Sequence, residues 1–343
     1  MLTARQVAIL ESIIHFFTET GEEVSSNMIA KQTDVGASSA TIRNEMSKLE
    51  KSGYIQKTHL SSGRVPSLKG YRFYIDHILK PEQLSVDSIS HISQELSTHF
   101  QEIDDLIHQS AHVLSELTNY TAIVLGPKVQ ETRLTDFRLV MINEHQVMAI
   151  METNNRTIKS IVFRPSHHVK RNDIDKLSRI LNHDLVEELL PNVYRKMQEE
   201  IPFIVRQYMG DVGTLLQSVN NSLKQANQLQ MHVSGKNNLF NLTNELSIDQ
   251  LRNLFDLLEN QEHHLSKLFG KTQEGINIRL GNELNDNRFE NLSLITANYR
   301  VGGYGDGVIA IIGPTYMPYS KTLGVVEGFR SELANVLLNY YIN

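Results

Sequence analysis

Ser38, Ser39, Thr41, Arg43, Asn44, Ser47 and Lys48 crowd one short stretch with hydroxyl, amide, guanidinium and ammonium groups. The chemistry these groups offer is recognition by hydrogen bonding, with no bond made or broken. A guanidinium presents parallel donors that match O6 and N7 of guanine. An asparagine amide matches N6 and N7 of adenine, and short hydroxyls reach phosphate oxygens or thymine edges. Such groups act together only if one face of a rigid element carries them outward.

Helical spacing supplies that face. Ile42, Met46 and Leu49 fall on one side, which leaves Ser39, Thr41, Arg43, Asn44, Ser47 and Lys48 on the other. Ser38 or Ser39 suits the N-cap, and Gly53 stops the helix. Upstream, Thr3 suits the N-cap of a helix reaching Thr20, with Val7, Leu10, Ile13, Ile14 and Phe17 as its apolar stripe and Gly21 as its end. A second helix begins after Ser25 or Ser26, holding Met28 and Ile29 inward. The link Asp34-Val35-Gly36-Ala37 contains the glycine that a tight inter-helix turn wants.

After Gly53, Tyr54 to Leu60 reads as a strand, Ser61-Ser62-Gly63 as a turn and Arg64-Val65 as the return strand, with Pro66 ending the pairing. Three helices and a hairpin predict a winged helix-turn-helix over residues 1–75, with the third helix in a DNA major groove. Lys57, His59, Ser61 and Arg64 on the hairpin, and Arg72 beyond it, are the expected contacts to the backbone or minor groove, with Arg64 beside the tip. A polar face alone would equally suit a solvated surface helix. The helix-turn before it and the hairpin after it favour recognition.

Charge is distributed accordingly. The 343-residue chain has a net charge of −6, yet residues 41–72 hold seven basic and two acidic side chains. Residues 1–72 come to about +2, leaving about −8 on the remainder. Phosphate binding follows the local field, so a basic face on an acidic body is compatible with DNA. Apolar residues make up 40% and charged residues 21%, an ordinary globular composition with room for two or three domains. The absence of cysteine excludes disulfides and thiolate metal sites. No apolar run approaches a bilayer span and the opening residues carry no apolar h-region, so a cytoplasmic protein without a membrane segment is expected.

These residues resemble one family. Ala40-Thr41-Ile42-Arg43-Asn44, Ser61 with Gly63-Arg64-Val65-Pro66, and Gly70-Tyr71-Arg72 are similar to the heat-inducible transcription repressor HrcA of bacteria. The likeness continues through Arg279-Leu280-Gly281-Asn282-Glu283 and Ile312-Gly313-Pro314-Thr315-Tyr316-Met317-Pro318-Tyr319, so it covers essentially the whole chain. Ser62 stands where alanine is common in the family, and Tyr316 where arginine is usual. The resemblance implies a dimeric repressor that binds an inverted-repeat operator, the CIRCE element, ahead of chaperone operons. It also implies dependence on the GroEL chaperonin: heat-unfolded clients occupy GroEL, the repressor falls inactive, and the chaperone genes are expressed.

The rest of the chain reads as α+β. Ile89, Ile92, Leu96, Phe100, Ile103, Ile107, Leu114 and Leu117 predict a long amphipathic helix within residues 85–119; thirty helical residues would span roughly 45 Å. It fits a rod linking the DNA module to the body or packing against a second subunit, with a plain core helix as the competing reading. From Thr121 the period becomes two, predicting one antiparallel sheet from Ala122–Leu125, Leu134–Ile142, Val147–Glu152 and Thr157–Phe163. Helices are expected at 173–190, 192–204 and 212–230, strands at 276–280, 292–299 and 307–312, and a last helix at 321–341. Strands, helices and strands again predict an interrupted α+β domain. By resemblance this is a GAF-like domain at 121–164 and 236–343, carrying an inserted dimerisation domain at 165–235 and joined through residues 76–120.

Other features lead away from catalysis. Gly302-Gly303-Tyr304-Gly305-Asp306-Gly307 joins two strands and does not open a helix, so it reads as a hairpin turn and not as a phosphate cradle. His167-His168 and Glu262-His263-His264 are adjacent in sequence and do not share a helix face, so no metal or other cofactor is expected. No serine, histidine and carboxylate group into a nucleophilic set, so no enzyme activity is expected. Three rival readings remain: a winged-helix repressor controlled by a metabolite in the GAF-like body, an enzyme with a regulatory N-terminal module, and an adaptor whose winged helix binds protein.

Overall fold

The structure, a computed structural model, describes residues 2–33, 35–58, 63–97, 100, 103–128, 132–154, 158–165, 170–209, 217, 219, 231–242, 246–260, 269 and 275–342. It is a mixture of helix and sheet dividing into two compact units. The first contains residues 1–126, 231–299 and 307–337, and the second residues 127–230, 300–306 and 338–343.

The first unit opens with three helices. In α1 (Ala4–Thr20), Thr3 accepts from the Gln6 N–H and Gln6 reciprocates, a capping box that satisfies two otherwise orphaned donors. Ile9, Leu10, Ile13 and Ile14 form its buried stripe, while Val7 and Phe17 are half-buried. Helix α2 (Ser26–Gln32) is capped by Ser25 and buries Ile29. Ser38 caps α3 (Ser39–Lys51), whose Ile42, Met46 and Leu49 are buried. The hairpin pairs β1 (Ile55–Gln56) with β2 (Val65–Pro66). Pro66 pairs with Ile55 as the last rung of the ladder and ends it, an edge position that tolerates a residue without an N–H. Arg64 also bridges to Val24, adding a third extended segment. Helix α4 (Leu68–His77) follows directly, capped by Ser67. Gly70 is obligatory there, since a Cβ would collide with the Tyr54 carbonyl oxygen.

The expected single long helix is instead two helices, α5 (Val86–Leu96) and α6 (Ile103–Thr118). The break begins at Ser97, whose N–H turns to the Gln94 carbonyl and whose hydroxyl caps Ser93. Both helices spend their apolar stripes within this unit, burying Ile92 and Leu96 on α5 and Leu106, Ile107 and Leu114 on α6. They are core helices and not a free strut.

The main sheet has five strands: β3 (Thr121–Lys128), β7 (Met231–Ser234), β8 (Ile276–Leu280), β9 (Leu292–Arg300) and β10 (Asp306–Pro314), in the order β7-β3-β10-β9-β8. Ile123, Leu125, Leu294, Ala310 and Ile312 of this sheet pack with Leu251, Leu254, Leu257 and Leu258 of α10 (Ile248–Asn260). The last helix, α11 (Tyr319–Ile342), begins at Tyr319, whose hydroxyl donates to the Thr315 carbonyl and meets Ser293. The chain between α4 and α5 crosses α11 at Gly324, where a Cβ would strike the Glu82 carbonyl. The Glu82 N–H donates to the Ser320 carbonyl there.

The second unit begins at Pro127. The strands β4 (Leu134–Asn143), β5 (Gln146–Thr153) and β6 (Ile158–Phe163) form their own antiparallel sheet, so the single sheet expected with β3 is really two. The reason is topological: β3 pairs with β7, a strand that sequence reading missed and that returns only at Met231. Phe137, Leu139, Val147, Ala149 and Met151 on one face pack against Ile174, Leu177, Leu181 and Leu185 of α7 (Arg171–Leu185). Helices α8 (Leu190–Glu199) and α9 (Ile201–Met209) complete this core. Most of 212–230, His167-His168 and Glu262-His263-His264 lie outside the described residues. No described helix is long and apolar enough to cross a membrane, and no metal-ligating group of three is found among the described residues.

Candidate nucleic-acid interface

Helix α3 divides its polar side chains into two groups. At its N-terminus Ser38 accepts from the Thr41 N–H at 3.2 Å, and the two hydroxyls meet at 3.0 Å. Ser39 bonds to the Asn27 amide oxygen and to Ser26. The Ser39 hydroxyl therefore also builds the α2–α3 junction. Beyond them Arg43, Asn44 and Ser47 are exposed, and their side chains bond to no described residue. Donors and acceptors that the fold leaves unused on a rigid helix are available to a ligand.

The other cations differ sharply in freedom. Lys57, just after β1, is exposed and without a partner among the described residues. Lys48 is held 2.7 Å from Glu45, which also accepts from Gln6 on α1 at 2.9 Å. The Lys48 hydrogen bond, aided by that from Gln6, keeps the Glu45 carboxyl below its ordinary pKa. Lys69 donates to the Ser52 carbonyl at the end of α3 and sits over the Tyr54 ring. A cation there complements the negative end of the helix dipole.

Arg64 and Arg72 depart from expectation. Arg64 does not project from the hairpin tip; its Nε and Nη2 donate to Glu50 on α3 at 3.0 and 2.7 Å, and its side chain is only 13% accessible. Arg72 turns toward the body, bonding to Asp76, to the Ile278 carbonyl at 2.9 Å and to Glu283 at 3.2 Å. Burial opposes its charge, yet Asp76 and Glu283 together hold its pKa above the ordinary value. In both cases a nearby carboxylate outcompetes solvent for a long cation. His59 and Ser61 lie outside the described residues.

Of the sequence words singled out above, Gly70-Tyr71-Arg72 and the two C-terminal ones meet in space. Tyr71 lies edge-on to Tyr319, Phe17 edge-on to Tyr316, and Arg72 reaches the strand and turn that carry Arg279 to Glu283. These three motifs, dispersed in sequence, form a single junction.

A profile described as the HrcA protein C terminal domain matches residues 104–323. A protein of Enterococcus faecalis named heat-inducible transcription repressor HrcA is 41% identical over 343 residues, covering 99% of each chain. The chain belongs to the HrcA family. HrcA proteins of Pediococcus pentosaceus and Tetragenococcus halophilus, bearing the same name, are 39% and 41% identical over 341 residues, each covering 99% of this chain and 98% of the relative. Among solved structures, one described as a hypothetical protein at 2.2 Å resolution covers 99% of both chains with a TM-score of 0.64. At 21% identity it supports the fold alone. The HrcA profile runs from α6 into the first turns of α11 and so includes the tyrosines that meet α1 and α4.

What sequence reading missed here are the carboxylates. Glu45 and Glu50 lie on the same helix as the reading face, and only their partners on other elements reveal what they do. Asn27 and Gln6 were missed for the same reason.

Proposed function

We propose that residues 3–77 form a winged helix-turn-helix and that the chain is a transcriptional repressor acting by binding double-stranded DNA, not by catalysis. The observation that carries this reading is the exposed row Arg43, Asn44 and Ser47 on α3, unpartnered among the described residues, beside a hairpin whose Lys57 is likewise unpartnered among them. Arg43 and Asn44 read base edges, Ser47 and the hydroxyls of Ser38, Ser39 and Thr41 approach the backbone, and Lys48 and Lys57 meet phosphates. His59 and Ser61 are proposed as further DNA contacts. The named function of the relatives, heat-inducible repression, supports this assignment.

A two-fold dimer would place two such helices on successive major-groove faces, so the operator is an inverted repeat of the CIRCE type. The outer face of the β4-β5-β6 sheet supports self-association: Val140, Met148 and Val162 form a cross-strand row, with Ile142 and Ile158 also exposed. The five-stranded unit is read as GAF-like and the second unit as the inserted dimerisation domain. Control by the GroEL chaperonin is part of the same proposal, supported by the resemblance to heat-inducible repressors. It requires that the active fold be lost on heating unless chaperonin restores it.

A gel shift with an inverted-repeat duplex, with and without chaperonin, tests the whole reading. Retarded DNA whose yield rises with chaperonin is expected; no shift at low salt would refute it.

A further inference from the structure

The Arg64–Glu50 pair joins the reading helix to the return strand of the hairpin. Glu50 lies two turns beyond Arg43 and three residues beyond Ser47, on the stripe proposed to face DNA. A bare carboxylate on that stripe would repel phosphates. Here it receives Nε and Nη2 of one guanidinium, while Nη1 donates to the Gly63 carbonyl at 2.9 Å. The Arg64 backbone is fixed as well, exchanging both hydrogen bonds with Val24 at 2.9 and 3.0 Å. Gly63 is wedged against Glu23, where a Cβ would stand 2.5 Å from the Glu23 Cβ. The return strand therefore cannot tilt away from α3 without breaking the ion pair.

We infer that Glu50 and Arg64 are positioning residues: their pair sets the angle between α3 and the hairpin, and so determines how strictly the operator is distinguished from other DNA. This rests on the DNA-binding reading above and refines it. Arg64 then carries no phosphate, and the acidic residue exchanges some affinity for register. A residue that binds phosphate and one that only sets geometry differ in their ionic signature. Losing a phosphate contact lowers the slope of log affinity against log salt by about 0.9, whereas losing alignment leaves it unchanged.

The test uses the full chain carrying Glu50→Gln, Arg64→Gln and both together, with Arg43→Ala as reference. Fluorescence anisotropy is read from about 50 to 200 mM salt on two duplexes, one selected by the wild-type chain from a randomised pool and one of scrambled sequence. Each single change is expected to lower the ratio of selected to scrambled affinity by about five- to tenfold, a moderate coupling. The double change should cost no more than either alone, and the slope for Arg64→Gln should match wild type. Counting the DNA-competent fraction by stoichiometric titration keeps partial unfolding from mimicking the loss. A slope lowered by about one in Arg64→Gln, with the ratio intact in Glu50→Gln, would make Arg64 a phosphate ligand and overturn the inference. If Arg43→Ala alone left the ratio unchanged, the base-reading role of α3 would fail instead, which separates the two outcomes.

Discussion

Arg72 donates to the Glu283 carboxylate at 3.2 Å across 211 positions of sequence, and the same guanidinium holds the Ile278 carbonyl at 2.9 Å. Helix α4 is thereby fastened to the β8 strand and the turn after it. Arg72→Ala is expected to cost about 1–2 kcal/mol of stability, the usual net worth of charge-assisted hydrogen bonds at a half-buried site. Urea unfolding measures this. The salt slope of DNA binding should stay at the wild-type value, because the side chain faces the body.

Arg43 has no partner to lose among the described residues. Arg43→Ala should leave thermal unfolding unchanged and cost roughly 1–3 kcal/mol on the operator, with relaxed preference at one base pair. Anisotropy titration against operator variants measures both effects.

Lys57 is similarly free, but it sits where a backbone contact is expected. Lys57→Ala should weaken operator and random DNA alike and lower the salt slope by about one. A loss confined to the operator would make Lys57 a base contact instead.

Gly70 faces the Tyr54 carbonyl so closely that no side chain fits. Gly70→Ala should force α4 away from the hairpin and cost about 1–3 kcal/mol, as overpacking does. Thermal unfolding reads the loss, and a compensating change at Tyr54 would not recover it because the clash is with backbone.

Asp286 accepts from the Arg288 guanidinium at 2.6–3.0 Å and from its N–H at 3.0 Å. These bonds hold its carboxyl below the ordinary value of 3.8. A depressed pKa contributes stability above the unfolded value and loses it as pH falls through the folded one. Asp286→Asn should therefore cost about 0.5–1.5 kcal/mol at neutral pH. The gap to wild type should hold steady down to about pH 5 and narrow only in more acidic buffer. A gap that widened with acid would contradict the assignment.

Much of the fold is legible in sequence where local physics dominates. The caps at Thr3, Ser25 and Ser38, the buried stripe Ile42, Met46 and Leu49, and the period-two strands 134–143 and 146–153 all follow from neighbours within a few residues. The Gly302–Gly307 stretch likewise joins adjacent strands β9 and β10 as a turn. Reading fails where pairing is remote. Strand β7 is four residues long and acquires its meaning from β3, more than a hundred residues earlier. The amphipathic run at 85–119 is helical throughout by period, and nothing in that period marks the break after Leu96.

The residue types of the sequence determined which groups are able to read a base edge and which helix face carries them. Composition and spacing suffice for that, because a helix turns by a fixed angle per residue. Only the tertiary structure decided which cations are free to do so. Arg43 and Lys57 remain open, while Arg64 and Arg72, equally basic on paper, are bound by Glu50 and Glu283. A long cation goes to whichever carboxylate the fold brings within a few ångströms, and chain order alone does not give that distance.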